Sequence, residues 1–272
     1  MERALKLFNL ALLLSLLAAT LSCGSDSQPA STASTISGNW QFTLVRHNST
    51  EQWTFSGFLL QSGNAITGSV ILNAAGCQGV GPVTGTFDGQ NLQITVSAFG
   101  QDFSLSNTSG TSQGDSMSGQ FTDTAGGCIS FSSAGVWTAV RIPALSGNFS
   151  GSFVSPGATT INVTGTLIQG QNVGASTATL SGTISATGSP SFCSYIGNST
   201  VTGLISGTSV TLTLFGPDGS QIGQIPGPGS PPATVAADAK TLTGGFNFPA
   251  ISSSCTGFTA GQTGGGVTLS FQ

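Results

Sequence analysis

Apolar and polar residues alternate with a period of two over much of the chain. In segment 92–97, Leu, Ile and Val alternate with Gln, Thr and Ser, and segment 210–214 repeats the pattern with Val, Leu and Thr. This period gives each strand one buried and one polar face, as in antiparallel sheets. Pairs such as Asp88-Gly89 separate these segments and are typical of hairpin turns. The pattern predicts an all-β protein.

A short sequence motif, which we call the phrase, recurs along the chain. Its five positions are an apolar residue, Ser or Thr, Gly, any residue, and a second apolar residue. Five copies occur in the first half, and five follow in the same order in the second half. A cysteine lies between the third and fourth copies of each half, and another follows the fifth copy. We conclude that the chain is an internal duplication. The ten copies are 36–40, 55–59, 66–70, 83–87 and 117–121, then 145–149, 163–167, 180–184, 201–205 and 242–246.

The glycine of the phrase indicates how the strands are shaped. Its two apolar residues and the glycine point to the same face, because they are two positions apart. Glycine weakens a strand unless its bare backbone permits a tight bend or the close approach of a large side chain. Ten such positions favour two tandem antiparallel β-meander domains that form up-and-down barrels of about eight strands each. Two twisted β-sandwiches with glycine at the kinks are the alternative.

The duplication also predicts the domain bounds. The first β domain covers 36–141, a linker covers 142–144, and the second β domain covers 145–272. The second copy is longer than the first because it contains insertions, the clearest of which is the Gly- and Pro-rich segment 227–232.

The N-terminal segment 1–22 has the features of an export signal. Arg3 and Lys6 precede an apolar run that is short for a membrane span. The run ends in Ala19-Thr20-Leu21-Ser22-Cys23, which resembles the cleavage site of bacterial lipoproteins. That resemblance implies that Cys23 becomes the acylated N-terminus, for example with palmitate, and that segment 23–35 is a flexible tether. An ordinary secretory signal is the alternative.

The resemblance to lipoproteins also implies a location. An acylated Cys23 would anchor the chain to a bacterial envelope. Because Gly24 rather than Asp follows the cysteine, resemblance to sorted lipoproteins implies the outer membrane or cell surface in a cell with two membranes.

The remaining four cysteines predict two disulfides. Export places them in an oxidising compartment, and the duplication favours pairing within each copy. The predicted bonds join Cys77 to Cys128 and Cys193 to Cys255. Each closes a long loop and would stabilise the fold by about 4 kcal/mol on the chain-entropy model. A cysteine metal site is not predicted, because no two cysteines are close in sequence and the chain has one histidine.

The low number of charged residues argues against nucleic acid as a partner. Only 5% of the 272 residues are charged and the net charge is −4. After Cys23 the basic residues are Arg46, Arg141 and Lys240, so the sequence lacks the clustered Lys and Arg that nucleic-acid binding needs. Solubility must therefore come from Ser, Thr, Asn and Gln on the outer faces of the strands.

Catalytic groups are sparse, and the sequence predicts neither an enzyme nor a cofactor. His47 lies at the end of the first strand and has no counterpart in the second copy, which is typical of a solvated loop histidine. Asp115 and Asp123 could form a glycosidase-like carboxylate pair, but we interpret them as turn residues at a solvated edge. No catalytic residue and no metal ligand is assigned.

Aromatic residues are the remaining candidates for binding. Gly38-Asn39-Trp40 resembles the motif at the start of the first strand in lipocalins and avidin-like barrels. This resemblance implies that Trp40 closes one end of a barrel and that Arg141 stacks on its ring. The second copy has Phe149 instead of Trp. Trp53, Trp137 and Tyr195 could line a binding face, although core positions are the simpler interpretation.

The sequence thus predicts a non-catalytic, membrane-anchored surface lipoprotein whose tandem β module binds a partner or builds envelope structure. One alternative is a carrier of the lipocalin or avidin-like type with a small-ligand pocket in each barrel. Another is an adhesion or glycan-binding protein that uses its polar outer faces. A pore-forming barrel and an enzyme rank below these. The ligand, whether small molecule, glycan or protein, is not identified.

Overall fold

The alternating segments form β-strands, which we describe from a computed structural model. It describes residues 35–74, 76–107, 112–127, 132–155, 160–173, 176–187, 199–229, 233–248 and 262–272. Among these residues no helix is long and apolar enough to cross a membrane. Thr35–Gln272 forms one compact unit that contains two antiparallel sheets. The predicted division at 142–144 into separate domains therefore stays a prediction.

The first sheet closes into an eight-strand barrel. Neighbours in the chain pair as antiparallel neighbours from β1 to β6, β9 pairs with β1 and β8, and β6 pairs with β8 to complete the circuit. β7 is a short addition to β8. The strands are β1 Gly38–Arg46, β2 Gln52–Ser62, β3 Ala65–Ala74, β4 Cys77–Phe87, β5 Leu92–Ala98, β6 Gln101–Ser106, β7 Ser112–Gln113, β8 Ser116–Asp123 and β9 Ala134–Arg141.

The second sheet closes in the same way. The circuit runs from β10 to β15, then through β17 and β18 back to β10, and β16 pairs with both β14 and β17. The predicted fold class is confirmed, with barrels rather than sandwiches. The strands are β10 Gly147–Val154, β11 Thr160–Val173, β12 Thr177–Thr187, β13 Ser199–Ser206, β14 Ser209–Phe215, β15 Gln221–Ile225, β16 Ala233–Val235, β17 Thr241–Phe248 and β18 Gln262–Phe271.

The glycine of the phrase lies where a neighbouring strand approaches closely. A Cβ atom at Gly119 would lie 1.9 Å from the carbonyl oxygen of Ser106 on the next strand. The equivalent atom at Gly182 would lie 1.9 Å from the carbonyl of Thr166. The contact is with neighbouring backbone rather than with a side chain from across the core, so the glycine lets adjacent strands coil tightly enough to close the barrel.

The two barrels contact each other through a hairpin turn. Gly207 and Thr208, between β13 and β14, lie against the outer face of β1 and β2. The Asn39 side-chain amide donates to the Gly207 carbonyl at 2.7 Å, and the Thr208 N–H donates to the Ser56 hydroxyl at 3.3 Å. A side chain at position 207 would collide with Ser56. The bare backbone at Gly207 therefore permits the contact.

Phe58 crosses the boundary between the copies. It occupies the variable position of the second phrase and points away from its own barrel, yet it is only 2% exposed. Its side chain belongs to the core cluster of the second barrel, which also includes Leu145 and Phe149. The rest of the first barrel's core, from Ile36 to Ala139, forms a separate cluster. The two copies thus share a packing contact at Phe58, in addition to the docked turn.

Candidate functional site

The register of four strands aligns polar side chains on the outer wall of the first barrel. Alternation along β4, β5, β6 and β8 turns every second residue outward, and the pairing places these residues side by side. Two rows result, each crossing the four strands. The first row is Thr84, Thr95, Ser104 and Thr122, and the second is Thr86, Gln93, Ser106 and Gln120.

A trough lies between the two rows. Its floor is the row of buried or half-buried residues between them, Gly85, Ile94, Leu105 and Phe121, and it continues to Gly135 on β9. The trough has a volume of about 470 Å³, within the range of small-molecule sites, and His47 lies at its β9 end. We call this cavity and the two rows the outer trough.

The outer trough is polar without being charged. Its walls carry hydroxyl groups and carboxamides, both of which can donate and accept hydrogen bonds. Among the described residues that line it, His47 is the one titratable side chain, and it is exposed. The trough therefore suits a neutral ligand with many hydrogen-bonding groups.

A second polar cavity of about 500 Å³ adjoins the outer trough and shares Thr86 and Gln93 with it. Asp88 lines this cavity, but its carboxylate is engaged in its own turn. It accepts hydrogen bonds from the N–H groups of Gln90 at 2.9 Å and Asn91 at 2.6 Å, and from the Asn91 side chain at 2.9 Å. These bonds to Asn91 and Gln90 lower the pKa of Asp88 from 3.8 to about 2.

Trp137 supports the trough wall from inside the barrel. Its indole N–H donates to the carbonyl of Ser106 at 3.1 Å and to that of Gln120 at 3.0 Å, across the seam where β6 meets β8. Gly119 is the cross-strand partner of Trp137, so no side chain at that position competes for the space. The buried indole thus fixes two residues of the second row.

The described interior of the first barrel is filled. The gap bounded by Phe42, Phe55, Val83 and their neighbours has no room for a water molecule. Aromatic side chains occupy the centre, for example Phe55 against Phe103 with ring centroids 5.0 Å apart. This gap is too small for the ligand that the carrier alternative requires.

The predicted lipidation and disulfide sites lie mostly outside the described residues. Cys23, Cys128, Cys193 and Cys255 all fall in segments that are not described. Cys77 begins β4 and is disulfide-bonded. The pairing of Cys77 with Cys128, and of Cys193 with Cys255, stays a prediction.

Trp40 and Arg141 meet at one end of the first barrel. The Arg141 guanidinium carbon lies 4.5 Å from the centre of the Trp40 ring. Arg141 also pairs with the exposed Asp115 carboxylate at 3.0 Å and donates to the carbonyls of Thr35 and Ser37. Arg141 therefore ties the chain segment that enters the barrel to the last strand of the same copy.

The two carboxylates considered as a pair lie far apart. Asp115 precedes β8 and is exposed, whereas Asp123 ends the same strand. The interpretation of Asp123 as a solvated turn residue is wrong, because alternation along β8 turns it inward, where it is 6% exposed and accepts a hydrogen bond from the Ser133 N–H. Within the described part of the chain, no three His, Cys, Asp or Glu side chains form a group that could hold a metal.

Trp53 and Trp137 are core residues, each 1% exposed, and Tyr195 falls outside the described residues. The outer trough was not among the sites predicted from the sequence. The residues of its two rows come from segments up to 38 positions apart, Thr84 to Thr122, and each taken alone is an ordinary outward-facing strand residue. The alternating Ser, Thr and Gln are the signal present in the sequence, but they do not specify which strands are neighbours.

No protein-family model and no curated protein matches the chain. Among solved structures, kievitone hydratase from Nectria haematococca is similar at 10% identity, over 87% of this chain and 90% of that chain, with a TM-score of 0.24. A similarity this low carries no argument about fold or activity.

Proposed function

We propose that this chain is a non-catalytic, lipid-anchored module of a bacterial envelope, and that the outer wall of its first barrel is a binding surface. The anchor is proposed from the lipoprotein-like sequence that ends in Cys23. The binding role rests on one contrast within the first barrel. The described gap in its core has no room for a water molecule, whereas a polar cavity of about 470 Å³ is open on its outer wall.

The arrangement of the first barrel supports this proposal. A barrel that carries a small ligand needs internal space, whereas side chains fill the described interior of this one. The outer trough instead presents hydrogen-bonding groups on a rigid sheet that is held by backbone pairing on every side. Rigid elements position binding groups better than loops do.

The anchor is tested by expressing the full chain and its Cys23→Ala variant in a bacterium and separating membranes from the aqueous fraction. We expect the parent chain to sediment with the membranes and to carry acyl groups at Cys23 by mass spectrometry. The variant should lack the acyl mass. A parent chain that is cleaved at another residue and released without lipid would contradict the proposal.

A further inference from the structure

The spacing of the outer trough is regular in two directions. Neighbouring strands of a sheet are about 4.8 Å apart, so successive side chains of each row follow at that interval. Within a strand, residues two positions apart are separated by about 6.8 Å, which sets the distance between the rows. The trough therefore repeats one polar pair per strand along its length, from Thr84 and Thr86 on β4 to Thr122 and Gln120 on β8.

This regular spacing constrains the ligand. A chain that lies in the trough crosses the strands and meets a new pair of hydroxyl or amide groups at each strand, an interval comparable to the length of one pyranose unit. Sugar hydroxyls donate and accept hydrogen bonds, as the Ser, Thr and Gln groups of the walls do. Because no carboxylate, ammonium or guanidinium group is among the described residues that line the trough, nothing there balances the charge of an acidic or basic ligand.

We propose that the outer trough binds an extended, neutral oligosaccharide that lies across strands β4, β5, β6 and β8. This inference rests on the proposed function, since it names the ligand class of the same surface. The Trp137 indole and the backbone pairing hold the Ser106 and Gln120 segments in place before the ligand arrives. Such preorganisation reduces the entropy lost on binding.

The second barrel differs at the equivalent positions. The phrase copies align Thr84 with Thr202 and Thr86 with Leu204. Leu204 is 43% exposed, so the corresponding row of the second barrel carries an apolar side chain where the first carries a hydroxyl. The proposed site is therefore assigned to the first barrel, and the second provides a comparison within the same molecule.

Binding is tested by isothermal titration calorimetry of the full chain, purified in a polyoxyethylene detergent that has no sugar headgroup. The probes are neutral hexamers with glucose and N-acetylglucosamine units in different linkages, and an acidic hexamer of galacturonic acid. We expect at least one neutral hexamer to bind. The Gln93→Ala/Gln120→Ala variant should bind that hexamer about tenfold more weakly or worse, because two amides are lost from one wall.

The control is the Gln52→Ala/Gln78→Ala variant, which removes two exposed glutamines outside the trough and should bind like the parent chain. Circular dichroism checks that both variants are folded. Binding of none of the neutral hexamers, binding of the acidic hexamer alone, or equal affinity of the trough variant and the control would each overturn the proposal. These titrations do not bear on the lipid anchor, which the membrane fractionation of the Cys23→Ala variant tests separately.

Discussion

Arg141 and Trp40 are cross-strand partners on β9 and β1, and the guanidinium carbon lies 4.5 Å from the centre of the indole ring. The pair joins the first and last strands of the first copy. The equivalent pair in the second copy is Phe149 and Phe271, with ring centroids 5.6 Å apart. In both barrels a contact with an aromatic ring thus joins the first and last strands. The partner of the ring is a cation in the first barrel and a second aromatic ring in the second.

Replacing Arg141 by Ala should destabilise the fold by about 2 kcal/mol, because it removes a cation–π contact and hydrogen bonds to the entering segment. Urea unfolding measures the change. Asp115→Asn is the matched control, since it removes only the ion pair. Asp115 is 83% exposed, so this variant should lose less than about 1 kcal/mol. Equal losses in the two variants would show that neither the contact with Trp40 nor the hydrogen bonds to the entering segment stabilise the fold.

The close approach at Gly119 predicts a large effect from a single methyl group. In Gly119→Ala the new Cβ must displace the Ser106 carbonyl, so we expect a loss of at least about 2 kcal/mol of stability. Gly266→Ala is the control, because no atom lies within 4 Å of the added carbon, and its effect should stay within about 0.5 kcal/mol. Thermal and urea unfolding provide the comparison, and similar stabilities would refute the role assigned to the phrase.

Trp137→Phe keeps a ring in the core but loses both indole hydrogen bonds. Two carbonyl groups at the β6–β8 seam then lack this donor, and we expect a loss of about 1–3 kcal/mol. Hydrogen exchange followed by mass spectrometry should show faster exchange in the peptides of β6 and β8. Trp53→Phe is the comparison, because its indole N–H bonds a half-exposed Glu51 carboxylate rather than a carbonyl of the seam. The Trp53 ring packs against Phe103 and Phe121, so this variant should change exchange at the seam, but less than Trp137→Phe does.

Phe58→Ala should weaken the second barrel although the substitution is in the first. The ring packs into the second barrel's core cluster, so its removal should destabilise the fold by about 3 kcal/mol. Faster hydrogen exchange is expected in β13 and β14, next to the docked turn. The exposed counterpart in the second copy, Thr166, should tolerate alanine with little effect. If exchange accelerates only in β1 to β9, the shared packing contact does not stabilise the second barrel.

The lowered pKa of Asp88 predicts a contribution to acid stability. Because the pKa in the folded state is about 2 and the ordinary value is 3.8, the charged carboxylate stabilises the fold above about pH 4. That contribution is lost as the pH falls from about 4 through 2. Asp88→Asn should therefore show a shallower decline in stability over this range. Carbon-detected NMR titration of the parent carboxyl provides a direct check, and a midpoint near 3.8 would contradict the turn geometry.

The sequence predicted tandem all-β meanders and favoured barrels over sandwiches, because the signals for these features are local. Alternation with a period of two shows up within a single strand, and the repeated phrase places a glycine where neighbouring strands must coil. The outer trough was not predictable in the same way, since it depends on which strands pair and in which register. Thr84 and Thr122 become parts of one wall only after four strands have been aligned.

Phe58 and Asp123 illustrate two further limits. Phe58 is the variable residue of its phrase, and alternation correctly places it outside the first barrel, but only contact between the copies buries it. The sequence suggests a turn residue at Asp123, whereas its position in β8 determines that it points inward. The burial of Phe58 therefore depends on contacts beyond its strand, whereas the burial of Asp123 follows from the alternation of its own strand.

Both eight-strand circuits return to their starting strand, so the described strands of each ring offer few unpaired backbone groups to a neighbouring molecule. An open sheet with so little charge on it would readily add strands from other copies and aggregate. Only 5% of this chain is charged, so repulsion between molecules gives little protection. Ring closure supplies that protection instead, because the described strands of each ring leave few edges through which copies could polymerise.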